Sequence, residues 1–181
     1  MSVKTKATIE DLYKVEGKAE LVNGEIVLMP PFGGRHSHAV GEIVFSLHEY
    51  GRRVGGGHAV MSTAAFVVDL PHRKSFCPDA AFYVGDIDSM KFFEGAPPFA
   101  AEVRSESDYG PRAEEAMARK RADYFAAGTQ VVWDVDLLSE TPVRVFRASD
   151  PSNPTLYRRG ESAEAEPALP GWTMPVDDLF V

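Results

Sequence analysis

Met117, Lys120 and Tyr124 are spaced by three and then four residues, so a helix running through them presents all three on one face. Pro111 is a favourable first-turn residue and Gly128 a favourable stop, so the helix is predicted between them. Ala113 and Ala127 extend the same face, which would normally pack onto a core, whereas Arg119, Arg121 and Asp123 fall off the stripe and are expected to be solvated. A lysine on a packing face costs desolvation free energy unless it is paired or chemically useful. Two carboxylates stand upstream of it: Glu102, in Phe99-Ala-Ala-Glu-Val-Arg104, and Asp79, directly after Pro78. Two carboxylates and a lysine meeting at a strand–helix junction are the groups a metal-dependent phosphodiesterase needs.

Strand alternation puts Ala100, Glu102 and Arg104 on one face and Phe99, Ala101 and Val103 on the other. The small alanines leave room beside Glu102 for an ion or a substrate, and Asp79, near the start of a neighbouring strand, can approach from the side. A hard cation such as Mg²⁺ or Mn²⁺ takes one or two carboxylates, with water and phosphate completing its shell, and the Val103 backbone carbonyl is a candidate further ligand. Lys120 would orient the attacking water or help to deprotonate it, and would stabilise charge on the phosphate. If its role is catalytic, Lys120→Met is expected to fold at least as well as the parent chain. The competing structural account has Asp79 capping a turn, Glu102 paired with Arg104, and Lys120 reaching out to water. Three charged residues inside apolar patterns favour a common cause over three separate ones.

The elements that must position these groups read as follows. Thr8-Ile-Glu-Asp11 resembles a capping signal, for a short helix to about Glu16. Glu20 to Met29 reads as two strands joined by the hairpin dipeptide Asn23-Gly24. A second helix follows Gly34, with His36, Val40, Ile43, Val44 and Leu47 on one stripe. Residues 59–69 and 76–84 read as strands around the turn Pro71-His-Arg-Lys, and 85–98 as an irregular loop. Strands are expected over 99–104, 130–135, 143–147 and 156–158. The order strand–helix–strand around Lys120 implies an α/β fold with a mixed sheet, one domain over 1–181, and additional antiparallel strands. His36, His38, His58 and Cys77 fit no zinc spacing, and Trp133, Phe125 and Tyr124 occupy core-like positions.

At 181 residues the chain is long enough for one well-buried core, and its 44% hydrophobic and 25% charged residues are ordinary for a globular protein. A net charge of −8 argues against indiscriminate nucleic-acid binding. The acidity is concentrated late: from Asp134 onward nine acidic residues face four basic ones, which leaves room for a local basic surface around Arg35, Arg52, Arg53, Arg73 and Lys74, although scattered solvated surface charge is the reading preferred for these residues. No apolar run is long enough for a membrane span, the stretch Met1-Ser-Val-Lys-Thr-Lys lacks the hydrophobic region expected of a signal peptide, and a lone cysteine, Cys77, suits a reducing compartment. A cytoplasmic protein is expected.

The chain resembles the Uma-two family of endonuclease-like proteins, a branch of the restriction-endonuclease-like PD-(D/E)XK superfamily. The resemblance runs through Glu20-Leu-Val-Asn-Gly-Glu25, His36, Pro78-Asp79, Glu102-Val-Arg-Ser105 with Asp108, Lys120 with Tyr124, Ala127-Gly128, Val132-Trp-Asp-Val-Asp136, Pro170-Gly171-Trp172 and Leu179-Phe180. It implies a central sheet flanked by helices, Asp79 and Glu102 as metal ligands, and Lys120 as a catalytic lysine moved from the strand to the following helix. Glu20 matches an acidic position of the family and is a candidate for the same site. Three positions depart from the pattern: Arg104 stands where the superfamily has lysine, Ser105-Glu106 replaces the usual Ser-Pro, and Cys77 replaces an aliphatic residue. The reading is a Mg²⁺- or Mn²⁺-dependent nuclease acting on DNA. The alternatives are a non-catalytic protein keeping the fold for binding or assembly, and a hydrolase of another phosphoester. Nucleases that cut both strands of a duplex commonly use two sites, so a homodimer is expected.

Overall fold

The computed structural model describes residues 6–181. Thr8 caps a single turn, α1 (Ile9–Leu12), through a reciprocal capping box with Asp11. The helix stops well short of Glu16: the chain turns at Tyr13-Lys14, and Gly17 takes a φ of 97°. β1 (Ala19–Val22) and β2 (Glu25–Leu28) form the expected hairpin, with Asn23 and Gly24 both at positive φ, as a two-residue turn of this kind requires. α2 (Gly34–Val54) buries His36, Ala39, Ile43, Leu47 and Tyr50, and ends at Gly55 in the left-handed region.

The run 59–69 is not one strand. β3 (His58–Met61) joins the large sheet, whereas β4 (Phe66–Val67) turns away to pair with β5 (Ser75–Phe76) in a small sheet. β6 (Ala80–Tyr83) returns to the large sheet, and the loop after it contributes only the short β7 (Phe93–Glu94), beside β4. Val60, Phe66 and Val68 share one core cluster, which is why their hydrophobic pattern is continuous although the pairing changes.

β8 (Phe99–Val103), α3 (Pro111–Ala126) and β9 (Val131–Val135) form the strand–helix–strand unit, and β8 pairs parallel with β9, which requires such a crossover. β10 (Val143–Arg147) and β11 (Asp150–Tyr157) extend the sheet, and β12 (Ser162–Glu164) and β13 (Thr173–Pro175) pair apart from it, before a 3₁₀ turn over Val176–Leu179. The six-stranded order is β11-β10-β9-β8-β6-β3, antiparallel except at β8–β9. The two faces divide as alternation requires. Phe99, Ala101, Val103, Val131 and Trp133 pack with α2 and with Trp172, while Ala100 and Val132 pack with Tyr124 of α3. Glu102 and Asp134 are register partners on that second face, so two carboxylates lie side by side under α3.

Candidate active site

The antiparallel register of β6 on β8 sets Asp79 beside the end of β8. Its amide donates to the Ala101 carbonyl at 3.1 Å, and the Val103 amide donates to Asp79 Oδ2 at 2.8 Å. Glu102 meets α3 instead. Tyr124 Oη donates to Glu102 Oε1 at 2.6 Å, and Lys120 Nζ lies 2.8 Å from the same oxygen, the i, i+4 spacing bringing both donors to one point. Lys120 Nζ is also 2.9 Å from Glu20 Oε1 on β1. Residues 20, 79, 102 and 120 therefore line one recessed cavity of about 380 Å³. Neither Lys120 nor Glu102 exposes more than about a fifth of its side chain, and Asp79 is buried.

Partners that sequence spacing did not identify complete the arrangement. Lys18 Nζ sits 2.5 Å from Asp79 Oδ1, and His36 Nε2 lies 3.3 Å from Oδ2, with the His36 ring stacked on Phe32. Arg73, expected as solvated surface charge, is buried: Nη1 donates to Glu20 Oε2 at 2.6 Å and Nε to Asp123 Oδ2 at 2.8 Å. The Cys77 amide donates to Glu20 Oε1 at 2.9 Å. Both Glu20 oxygens are thus taken, and the residue anchors Lys120. Tyr124 fills the core position read from sequence, but its hydroxyl belongs to the site. Lys18 carried a signal, since Lys18-Ala-Glu20 alternates with both charged residues on one face; His36 was marked by its place on the apolar stripe of α2 and by the family resemblance, neither of which pointed to Asp79.

The electrostatics separate the roles. Burial alone would lower the Lys120 pKa, but Glu102 and then Glu20 outweigh it and hold the amine well above its ordinary value. That direction favours the cation, a form suited to orienting groups and stabilising negative charge. Burial raises the Glu102 carboxyl, Lys120 offsets part of this, Asp79 adds to it, and the net direction is upward. Burial also pushes at Glu20, but Lys120 and Arg73 prevail and its pKa is lowered.

For Asp79, burial is outweighed by the contact with His36 and then by Lys18, and the pKa falls from the ordinary 3.8 to about 2. The carboxylate is thus favoured in the folded chain over the unfolded one. Its contribution, about 2 kcal/mol, is complete above pH ~4 and is lost as pH falls through ~2. The stability gap between the parent chain and Asp79→Asn should narrow from pH 5 to pH 2 in urea denaturation; a gap that stays constant would contradict this clamp.

Arg104, at the superfamily's lysine position, does not pair with Glu102. Nε and Nη2 donate to Asp134 at 2.8 and 2.9 Å, and Nη1 and Nη2 reach Glu114 of α3. Arg121 approaches Asp134 at 3.3 Å, and Asp123 is held by Arg73 and His72. The off-stripe residues Arg121 and Asp123 are therefore not solvated; they fix α3 to the sheet and to the segment around Arg73. Arg119 is exposed, as expected.

The donor set is one for a hard metal ion. Among the described residues no three His, Cys, Asp or Glu side chains come together as a metal cage. Asp79 and Glu102 offer two carboxylates in a cavity with room for water, which suits a hard cation that keeps much of its hydration shell. His36 Nε2 lies 3.3 Å from Asp79 Oδ2, and Cys77 Sγ donates to the Ser62 carbonyl at 3.3 Å, its thiol pushed up to about 11 by burial; among the described residues neither belongs to a three-ligand zinc cluster.

Residues 8–177 match the sequence profile of the family described as "Uma2: Putative restriction endonuclease", and the chain belongs to that family. Among solved structures, the fold is similar to "a putative nuclease belonging to DUF820 from Anabaena variabilis", with a TM-score of 0.73 at 18% identity, over 96% of this chain and 97% of the other. No curated protein matches the chain. Among the described residues no helix is long and apolar enough to cross a membrane.

Proposed function

We propose that the chain is a Mg²⁺- or Mn²⁺-dependent endonuclease hydrolysing DNA phosphodiester bonds. The observation that carries the reading is the meeting of Lys120 with Glu102 and Glu20 in the cavity that also holds Asp79. Asp79, Glu102 and the Val103 carbonyl would hold the ion, with Glu20 behind them. A bound divalent ion would stabilise charge on the phosphate and acidify water. Lys120, kept cationic, faces the developing negative charge. Tyr124 fixes the Glu102 carboxylate, and Glu20, itself held by Arg73 and the Cys77 amide, fixes Lys120. Burial, with Asp79 nearby, raises the Glu102 pKa even against Lys120, the environment of a carboxylate that a further cation would favour. Incubation with Mg²⁺ or Mn²⁺ should nick plasmid and cut oligonucleotide substrates, and Asp79→Ala should lose most of that activity; an Asp79→Ala chain as active as the parent would refute the assignment.

One observation favours the alternative, a fold kept for binding or assembly: the charges lining the cavity are already satisfied by one another. That reading expects Asp79 and Glu102 to be replaceable without loss of the chain's role. A homodimer in the cytoplasm is carried as a separate part of the proposal, twofold pairs being the commonest oligomers; a strictly monomeric mass by light scattering across micromolar concentrations would remove it.

A further inference from the structure

We propose, resting on the nuclease reading of the same cavity, that the site takes unpaired DNA and admits a single nucleotide, so that a perfectly paired duplex is a poor ligand. Three observations lead there. The first is depth. Asp79 is 3% exposed, so a phosphate reaches it only if the strand enters a cavity of about 380 Å³. That volume is at the lower end of small-ligand sites, roughly 300–1,000 Å³. A stacked pair cannot enter such a space; a base must first leave its partner, which costs least where it is already single-stranded.

The second observation is charge. Five cations and five carboxylates line the cavity. Each cation is already engaged: Lys18 with Asp79, Arg73 with Glu20 and Asp123, Arg104 with Asp134 and Glu114, Lys120 with Glu20 and Glu102, and Arg121 with Asp134. Affinity for either form draws on neutralising phosphates with a row of free Lys and Arg, and the duplex, with the denser charge, depends on it more. The cavity provides no such row, and the chain as a whole carries −8.

The third is the rest of the lining. Beside the charged groups the lining includes apolar side chains, Val27 and Met29 from the β1–β2 hairpin side and Ala113, Ala116 and Met117 from α3. The exposed part of this lining is mostly apolar, a surface for a base face and unsuited to a phosphate chain. Thioether side chains adapt to planar groups of different outline, so such a wall accepts any base and imposes little sequence preference. The phosphate then lies toward Asp79, Glu102 and Lys120, and the base against Met29 and Met117.

The test is fluorescence anisotropy in Ca²⁺ with three labelled DNA probes of one sequence: a single strand, its perfect duplex, and the duplex with a three-base bulge. The single strand should bind at least about tenfold more tightly than the duplex, with the bulge recovering much of the difference. Met117→Gln, which keeps the length and removes the apolar contact, should weaken the single strand about fivefold or more and leave the duplex unchanged. Equal affinity for single strand and duplex, absence of binding by every probe, or a Met117→Gln chain with undiminished single-strand affinity would each overturn the proposal. Cleavage in Mn²⁺ is scored separately. Preferential single-strand binding without cleavage upholds this proposal and sinks the nuclease reading, whereas a perfect duplex bound and cut as well as the single strand does the reverse.

Discussion

Lys120→Met should cost about 3–5 kcal/mol of stability near neutral pH and also remove nearly all cleavage. The helix-face argument alone expects this variant to fold at least as well as the parent, because it removes a desolvated amine. The structure changes that expectation, since Lys120 is the shared counter-ion of Glu20 and Glu102. Glu20 keeps Arg73, but Glu102 is left with the Tyr124 hydroxyl as its near partner. Removing the ammonium raises the Glu102 pKa further above its unfolded value. The destabilisation is therefore small in acid, where both states are protonated, and grows as pH rises above ~4.5. Urea denaturation between pH 4.5 and 8 checks this, and a loss independent of pH would contradict it. Lys120→Arg should recover part of the stability but little cleavage, because a planar guanidinium does not reproduce a point charge between two carboxylates.

Arg104→Met is expected to cost a similar amount, about 3–5 kcal/mol, through a different partner. Asp134 is 1% exposed and loses the two shorter of its hydrogen bonds, those from Arg104, keeping the one from Arg121 at 3.3 Å and the more distant Arg144 at 4.0 Å. Glu114, the tie to α3, is released at the same time. Because α3 carries Lys120 and Tyr124, cleavage per folded molecule should fall as well. The double change Arg104→Met with Asp134→Leu should regain most of the stability, as buried pairs replaced by apolar residues often do. A double variant no more stable than Arg104→Met would show that the arginine acts mainly by packing.

The local patterns explain which parts were legible in the sequence. Period two set Glu102 under α3, a three–four spacing set Lys120 and Tyr124 above it, and Asn23-Gly24 fixed the hairpin that delivers Glu20. The family resemblance added Glu20 to the candidate residues. What stayed hidden depends on partners distant in the chain. Lys18 and Asp79 are 61 residues apart, and nothing local to either announces the other. Arg73 sits in Pro71-His-Arg-Lys, which reads as an exposed turn. Yet Val22 bridges to Arg73, and Lys74 donates to the Leu21 carbonyl, so pairing with β1 draws the arginine inward. Arg121 and Asp123 were misjudged because an amphipathic stripe locates apolar contacts and is blind to ion pairs supplied by other elements. β11 runs from Asp150 through Pro151 and Pro154, residues that argue against a strand; it is tolerated because β11 lies at the sheet edge.

The claim that Asp79 and Glu102 form a metal-dependent site is tested most directly by calorimetric titration with Mn²⁺ in the absence of DNA. The parent chain should bind one ion weakly, Lys120→Met should retain that binding because the ligands are carboxylates, and Glu102→Ala should abolish it. Equal Mn²⁺ binding by the parent and by Glu102→Ala would contradict the account.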